Sequence, residues 1–365
     1  MRAKIRNKYD DTHSITVHLP AAPMALYDML DRLGADNKFG NVYINIEDES
    51  IPQAMHEGGF YDDIFKLNLL AERLGGLDNC EKAAFTAILS QNEEYNLRDV
   101  ILVTYGVQTL PVYPCSNYSE LGEIVIDNDM IPEVENCPEE YIEFLDPEKV
   151  GELAAERNGG VFINGYYCEI AGYEQPDIEI TIGKPSRNEF QILIGSDEKT
   201  AQWYTLPYTD DMVEKHIFDI RSPLPNIKIA DDISKLNEVA EKVAELDRQD
   251  LIKLKTVMES NLLRGSGGAL SSLETLNKYE FDNSVRICAD YGRKYMSRQL
   301  PDNFDMNILN LSDVGSRILE RKGGTLTSYG ALSGIGQELY SAINVNEESE
   351  DMEIDEDCEQ EMGVI

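Results

Sequence analysis

Positive charge is scarce in this sequence. Lys and Arg number 32 against 68 Asp and Glu, a net charge of −36 at pH 7. That surplus excludes nucleic acid as a direct partner unless a basic patch is present, and it disfavours anionic membranes. Histidine is rarer still: His13, His18, His56 and His216 are isolated, and none has a second ligand at metal-binding spacing. The six cysteines (Cys80, Cys115, Cys137, Cys168, Cys288, Cys358) form no CxxC pair and no signal peptide is evident, which predicts free thiols in a reducing cytoplasm. No apolar run approaches the ~20 residues of a membrane span. Walker, HExxH, GxSxG and EF-hand patterns are missing. Gly334-Ile335-Gly336 lacks the third glycine of a dinucleotide site and reads as a loop, and Gly265-Ser266-Gly267-Gly268 reads as a linker. Asp127 and Asp129 start like a calcium loop but lack its glycine and closing glutamate. No cofactor, no metal and no enzymatic activity are expected.

What is abundant is carboxylate, above all from Glu120 to Glu156, where thirteen acids face a single Lys149. Aliphatic and aromatic residues such as Leu121, Ile131, Phe144 and Leu153 run through this stretch. A purely polar acidic segment would stay unfolded, whereas this one can fold. Its end predicts a helix, with Asp146 as N-cap, Pro147 at the first position and Asn158-Gly159 as the stop. Glu148, Glu152 and Glu156 then stack at i,i+4 on one face, at a cost of a few tenths of a kcal/mol per pair. Packing has to offset that repulsion.

Internal similarity sets the organisation. Lys66-Leu67-Asn68, Ala71-Glu72 and Leu77-Asp78 return as Lys235-Leu236-Asn237, Ala240-Glu241 and Leu246-Asp247. Leu19-Pro20 is echoed by Leu206-Pro207, and the strand-like Val42 to Asp48 by Ile227 to Asp232. Val150-Gly151, Glu156-Arg157 and Gly159-Gly160 match Val314-Gly315, Glu320-Arg321 and Gly323-Gly324. The reading is α+β: two copies of one unit, 14–172 and 177–343, joined by a short hinge at 171–176. Each copy holds a small αβ piece, a helical pair and a helix–strand piece. Residues 1–13 are read as a basic, loose N-terminal arm. Residues 344–365, with ten carboxylates between Glu347 and Glu361, are read as a disordered acidic tail.

Trp203-Tyr204-Thr205-Leu206-Pro207, Asp290-Tyr291-Gly292-Arg293-Lys294-Tyr295 with its counterpart Leu121-Gly122-Glu123, and the closing glycine helix, double glycine and tyrosine strand at Val314 to Tyr329 and Val150 to Tyr166 resemble the ArdA antirestriction family. The resemblance covers most of the chain, although each motif is degenerate. It implies an elongated α+β rod whose carboxylates imitate the phosphates of bent duplex DNA. Members of that family occupy the basic DNA-binding groove of type I restriction–modification complexes. Family members are single units that dimerise, so the tandem here implies either a homodimer through the second unit or a tandem that replaces the dimer. The carboxylates selected as phosphate surrogates are Glu139, Glu140, Glu143, Glu148, Glu152 and Glu156, with Glu47, Asp48, Asp231 and Asp232 behind them. Competing readings are a CRISPR effector or another nucleic-acid-binding defence complex as target, a uniformly acidic halophile-type surface, and an acidic enzyme with a carboxylate site.

Overall fold

The computed structural model describes residues 1–10, 13–35, 42–47, 51, 59–91, 95–209 and 215–334. Its architecture is α+β, and the chain divides into two units, Met1–Arg187 and a second beginning at Asn188.

In the first unit β1 (Arg2–Asn7), β2 (Ser14–His18), β3 (Val42–Ile46) and β4 (Phe60–Tyr61) form an antiparallel sheet in the order β2-β1-β3-β4. The basic arm is therefore corrected: it is an inner strand. Ala3 and Ile5 alternate into the core, both fully buried, while Arg2 bonds Glu47 at 3.0 Å and the Arg6 guanidinium lies 4.0 Å over the Tyr43 ring. The alternation Ala3-Lys4-Ile5-Arg6 has the period of a strand, but the charges conceal it. Helix α1 (Pro23–Arg32) packs Leu26 and Leu30 onto this sheet's buried face, in the same core as Ile5 and Ile44.

Three capped helices follow. Asp63 caps α2 (Ile64–Gly76), a reciprocal Asp78–Glu81 capping box opens α3 (Asn79–Leu89), and Asn96 caps α4 (Leu97–Gly106). Leu67, Leu70, Ala84, Ile88, Val100 and Val103 carry their faces into the core.

The rest of the unit is a smaller module. It comprises β5 (Val112–Tyr113), α5 (Tyr118–Asp127), α6 (Pro132–Glu135), α7 (Glu139–Ile142), α8 (Pro147–Asn158), β6 (Gly160–Ile163) and β7 (Tyr166–Glu169). The sheet order is β5-β7-β6. Asn164 and Gly165, at φ 51° and 83°, make the tight β6–β7 turn. Helices α5 and α8 cross with their backbones in contact at two glycines. A Cβ on Gly122 would sit 1.7 Å from the Pro147 carbonyl oxygen, and one on Gly151 would sit 1.9 Å from that of Tyr118.

From Gly172 to Arg187 the chain has no regular structure but is stitched to its own unit. Tyr173, Ile180 and Ile182 pack on the core, Gln175 bonds Asp99, Lys184 pairs with Asp63, and Arg187 reaches the fully buried Asp31. The boundary thus falls at Arg187/Asn188, and residues 177–187 belong with the first unit, not the second.

The second unit repeats the plan. Strands β8 (Gln191–Gly195), β9 (Gln202–Thr205) and β10 (His216–Arg221) take the order β10-β8-β9, which matches β3-β1-β2. The counterpart of β3 is therefore β10, and the match of Val42–Asp48 to Ile227–Asp232 is corrected, since 227–232 is a turn-rich connection. Among the described residues α1 has no counterpart. Helices α9 (Ile233–Ala244) and α10 (Arg248–Ser260) are capped by Asp232 and Asp247, the partners of Asp63 and Asp78. Helix α11 (Gly265–Thr275) begins at the glycine run, which is not a linker, because the Asp231 carboxylate accepts the Ser266 N–H at 3.0 Å. Strand β11 (Tyr279–Asp282), α12 (Cys288–Met296), α13 (Leu311–Arg321), β12 (Thr325–Thr327) and β13 (Gly330–Gly334) form the closing module, with sheet order β11-β13-β12. Its glycines repeat the crossing: a Cβ on Gly292 would lie 2.1 Å from the Leu311 oxygen, and one on Gly315 would lie 1.8 Å from that of Cys288.

One side-chain clamp ties the aligned sequences together. Asn68 accepts the Ala21 N–H at 2.7 Å and donates to the Ala21 carbonyl at 3.1 Å. Asn237 does the same to Tyr208 at 2.8 and 2.7 Å. An amide that satisfies both backbone groups of one residue is a specific arrangement, and it recurs at the aligned position just after each Leu-Pro pair.

Candidate functional site

Residues 111–170 hold fourteen carboxylates and two cations, a net of −12. They are displayed on a packed body: Leu121, Val125, Ile131, Val134, Val150, Ala154 and Tyr167 form its core. Both cations are already used. Arg157 makes a bidentate pair with Glu133 at 2.6 and 2.8 Å, and Lys149 lies 3.4 Å from Asp146. The Arg157 hydrogen bonds hold the Glu133 carboxyl below its ordinary pKa. Glu120 is also engaged, accepting from the Ser116 N–H at 2.7 Å and from Asn117 at 2.8 Å, which closes the loop into α5.

Glu169 accepts from the Asn158 amide at 2.8 Å. The remaining ten are unneutralised. Glu139 and Glu140 on α7, Glu143 just after it, and Glu148, Glu152 and Glu156 on α8 are all exposed. None of the six has an ion-pair or hydrogen-bond partner for its carboxylate among the described residues. Glu123, Asp127 and Asp129 of the α5 end and Glu135 on α6 stand the same way, and belong to the surface as fully as the six selected from sequence. Asp146 caps α8 as expected, and Gly159 ends it in a left-handed conformation.

Of the secondary choices, Glu47, Asp231 and Asp232 each have a partner. Glu47 is exposed but paired with Arg2. Asp232 is the N-cap of α9, and Asp231 accepts N–H groups of Lys228 at 3.1 Å and Ser266 at 3.0 Å. Their carboxylates are committed to backbone, a role that the Asp-Ile-Ser-Lys sequence signals for Asp232 as a helix start. Asp48 and the acidic tail lie outside the described residues.

Sequence reasoning missed the apolar element of the surface. Tyr141 and Phe144, set among Glu139, Glu140 and Glu143, are 54% and 74% exposed. The signal was the spacing: on a segment only one turn long, alternating glutamates and aromatics cannot all be buried.

Two of the module's three thiols, Cys115 and Cys168, are buried, and Cys137 is half-buried. Burial pushes Cys115 upward and Cys168 to about 11, so both are protonated at neutral pH. Among the described residues no group of three or more His, Cys, Asp or Glu side chains is arranged to hold a metal ion, and no helix is long and apolar enough to cross a membrane. Compared with known family models and with curated proteins, the chain matches none.

Proposed function

We propose that this chain is a DNA mimic that inhibits a DNA-gripping defence complex, with the module at 111–170 as its principal phosphate-imitating face. One observation carries this reading: ten exposed carboxylates without partners sit on a folded body whose only two cations are already paired. Ordinary surfaces intersperse both signs. Along α8 the glutamates repeat every four residues, a rise of about 6 Å. That is close to two base-pair steps of ~3.4 Å on one DNA strand. The resemblance to ArdA antirestriction proteins favours type I restriction–modification complexes as the target.

Such a surface would engage Lys and Arg residues that otherwise contact phosphate, and long-range attraction would accelerate the encounter. Tyr141 and Phe144 would supply the apolar anchors that a purely ionic contact lacks. No chemical step is assigned to the protein. The test is competition: purified type I complex is titrated with the protein against labelled duplex, at about 50 and 200 mM salt. Displacement of the protein by excess duplex and weakening at the higher salt are expected. Binding that duplex never displaces would overturn the proposal.

A further inference from the structure

The second unit holds a feature opposite in character to the acidic face. A cavity of about 580 Å³ opens between α10, β11, α12 and β13. Lys253, Arg298 and Lys322 line it, and none of the three charged groups has an ion-pair or hydrogen-bond partner among the described residues. In a chain with 36 surplus negative charges, every cation has acids to choose from. Lys82, Lys235 and Lys278 are left unpaired too among the described residues, but as separate surface side chains; Lys253, Arg298 and Lys322 face one cavity together. Lys294 also lines it and is held in place by Asp282 and by Ser284 at 3.1 Å. Asp250 and Glu280 stand at the wall, and neither comes within ion-pair distance of these cations.

Four aromatic residues also line it: Tyr279, Phe281, Tyr291 and Tyr295. A smaller hollow of about 260 Å³ shares Tyr295 and Lys322 and has Met296, Val314 and Ile318 in its wall. Arg317 and Arg321 line the hollow as well, so a cationic cavity of a volume typical of small-molecule sites adjoins a hollow of mixed apolar and cationic lining. Its size and setting select the ligand. A nucleic-acid strand would carry many charges along the surface of a strongly acidic protein. A compact oligophosphate places its charge only inside the cavity, and charges beyond about 8–10 Å are screened at physiological salt.

We propose that this cavity binds a nucleoside di- or triphosphate, with Lys253, Arg298 and Lys322 on the phosphates and Tyr295 against the base. The site shares no residue with the acidic module, so failure of either proposal leaves the other standing.

The full-length chain is titrated by calorimetry with pyrophosphate and with ATP at physiological salt. ATP is expected to saturate one site per chain, about tenfold more tightly than pyrophosphate, since stacking on one aromatic side chain contributes that much or more. Arg298→Gln and Lys322→Gln should each weaken both probes at least tenfold. Tyr295→Leu should weaken ATP alone, and Lys149→Gln in the first unit should change neither. All four side chains lie outside the buried cores, so unchanged unfolding midpoints serve as the folding control. No saturable binding of either probe up to millimolar concentration, or binding that the Arg298 and Lys322 variants leave intact, would overturn the site. Equal affinity for both probes with no effect of Tyr295→Leu would overturn the nucleotide assignment.

Discussion

The closing modules of the two units share one scaffold and carry opposite charge. Both run edge strand, glycine helix, second glycine helix and hairpin, with sheet orders β5-β7-β6 and β11-β13-β12. Yet residues 111–170 hold fourteen acids and two cations, whereas 276–334 hold seven acids and eight cations. On α8 the exposed stripe is Glu148, Glu152, Glu156; the aligned positions on α13 are Ser312, Ser316 and Glu320. The scaffold therefore does not require the glutamates. What both copies retain is what the backbone needs: a glycine at each side of a helix crossing and a hairpin covering it. Charge is the free variable, and its accumulation in one copy against helix repulsion is what points to a use.

The sharpest way to break this comparison is at the shared feature. Gly151→Ala and Gly315→Ala each drive a Cβ to within 2 Å of a carbonyl oxygen on the neighbouring helix. Relief requires the helices to part, at a cost of roughly 3 kcal/mol or more. Urea unfolding is expected to show losses of similar size in the two variants. A neutral Gly315→Ala would mean that the second module is not held as the first is.

Next comes the difference itself. Replacing Glu139, Glu140, Glu143, Glu148, Glu152 and Glu156 together with Gln should weaken binding to a type I complex by at least a hundredfold. It should leave the protein folded and slightly more stable, by a few tenths of a kcal/mol for each relieved i,i+4 pair. The same measurement on the single variants should show less than a threefold change each, because many surrogates share the contact. A single glutamate whose loss abolishes inhibition would contradict a distributed surface. Phe144→Ser is expected to fall between, near tenfold in binding with unfolding unchanged, since a ring 74% exposed contributes little to the fold.

Much of this scaffold was legible because its signals are local. The Asp146-Pro147 start, the Asp78–Glu81 capping box and the Asn158-Gly159 stop are decided by a few neighbouring side chains, and each appears where the sequence places it. The repeat was legible through Asn68 and Asn237, whose amides make the same two bonds. The errors were of tertiary origin. Strand β1 looks like a charged arm until the sheet on both sides of it is known. The glycine run at 265–268 starts a helix only because Asp231, distant in sequence, receives its N–H. Of the acidic surface, the six glutamates on α7, just after it and on α8 were legible as exposed, since nothing nearby could neutralise them. Glu47, by contrast, meets Arg2 only through the pairing of β1 with β3. The cationic cavity was invisible for the same reason, because α10, α12 and the end of α13 contribute one or two cations each.

The smallest expected effect concerns how each module fastens its own charges. In the second, Asp282 on β11 pairs with Lys294 on α12; in the first, Glu133 on α6 pairs with Arg157 on α8. Burial pushes the Asp282 pKa up, but hydrogen bonds from Lys294 and Ser284 outweigh it and hold the carboxyl below its ordinary value. A depressed carboxyl stabilises the fold while it is ionised. The contribution is complete above the unfolded pKa of about 3.9 and is lost as pH falls through the lower folded value. The sign is therefore fixed: wild type should exceed Asp282→Asn in stability at pH 5 to 7, and the gap should close below about pH 4. Solvent screening of this partly exposed pair limits the gap to under ~1 kcal/mol. Denaturant unfolding of both proteins across pH 2.5 to 7 measures it. A gap that persisted at the acid end would show that the substituted amide disturbs packing instead of charge, and that the two modules fasten their charges by different means.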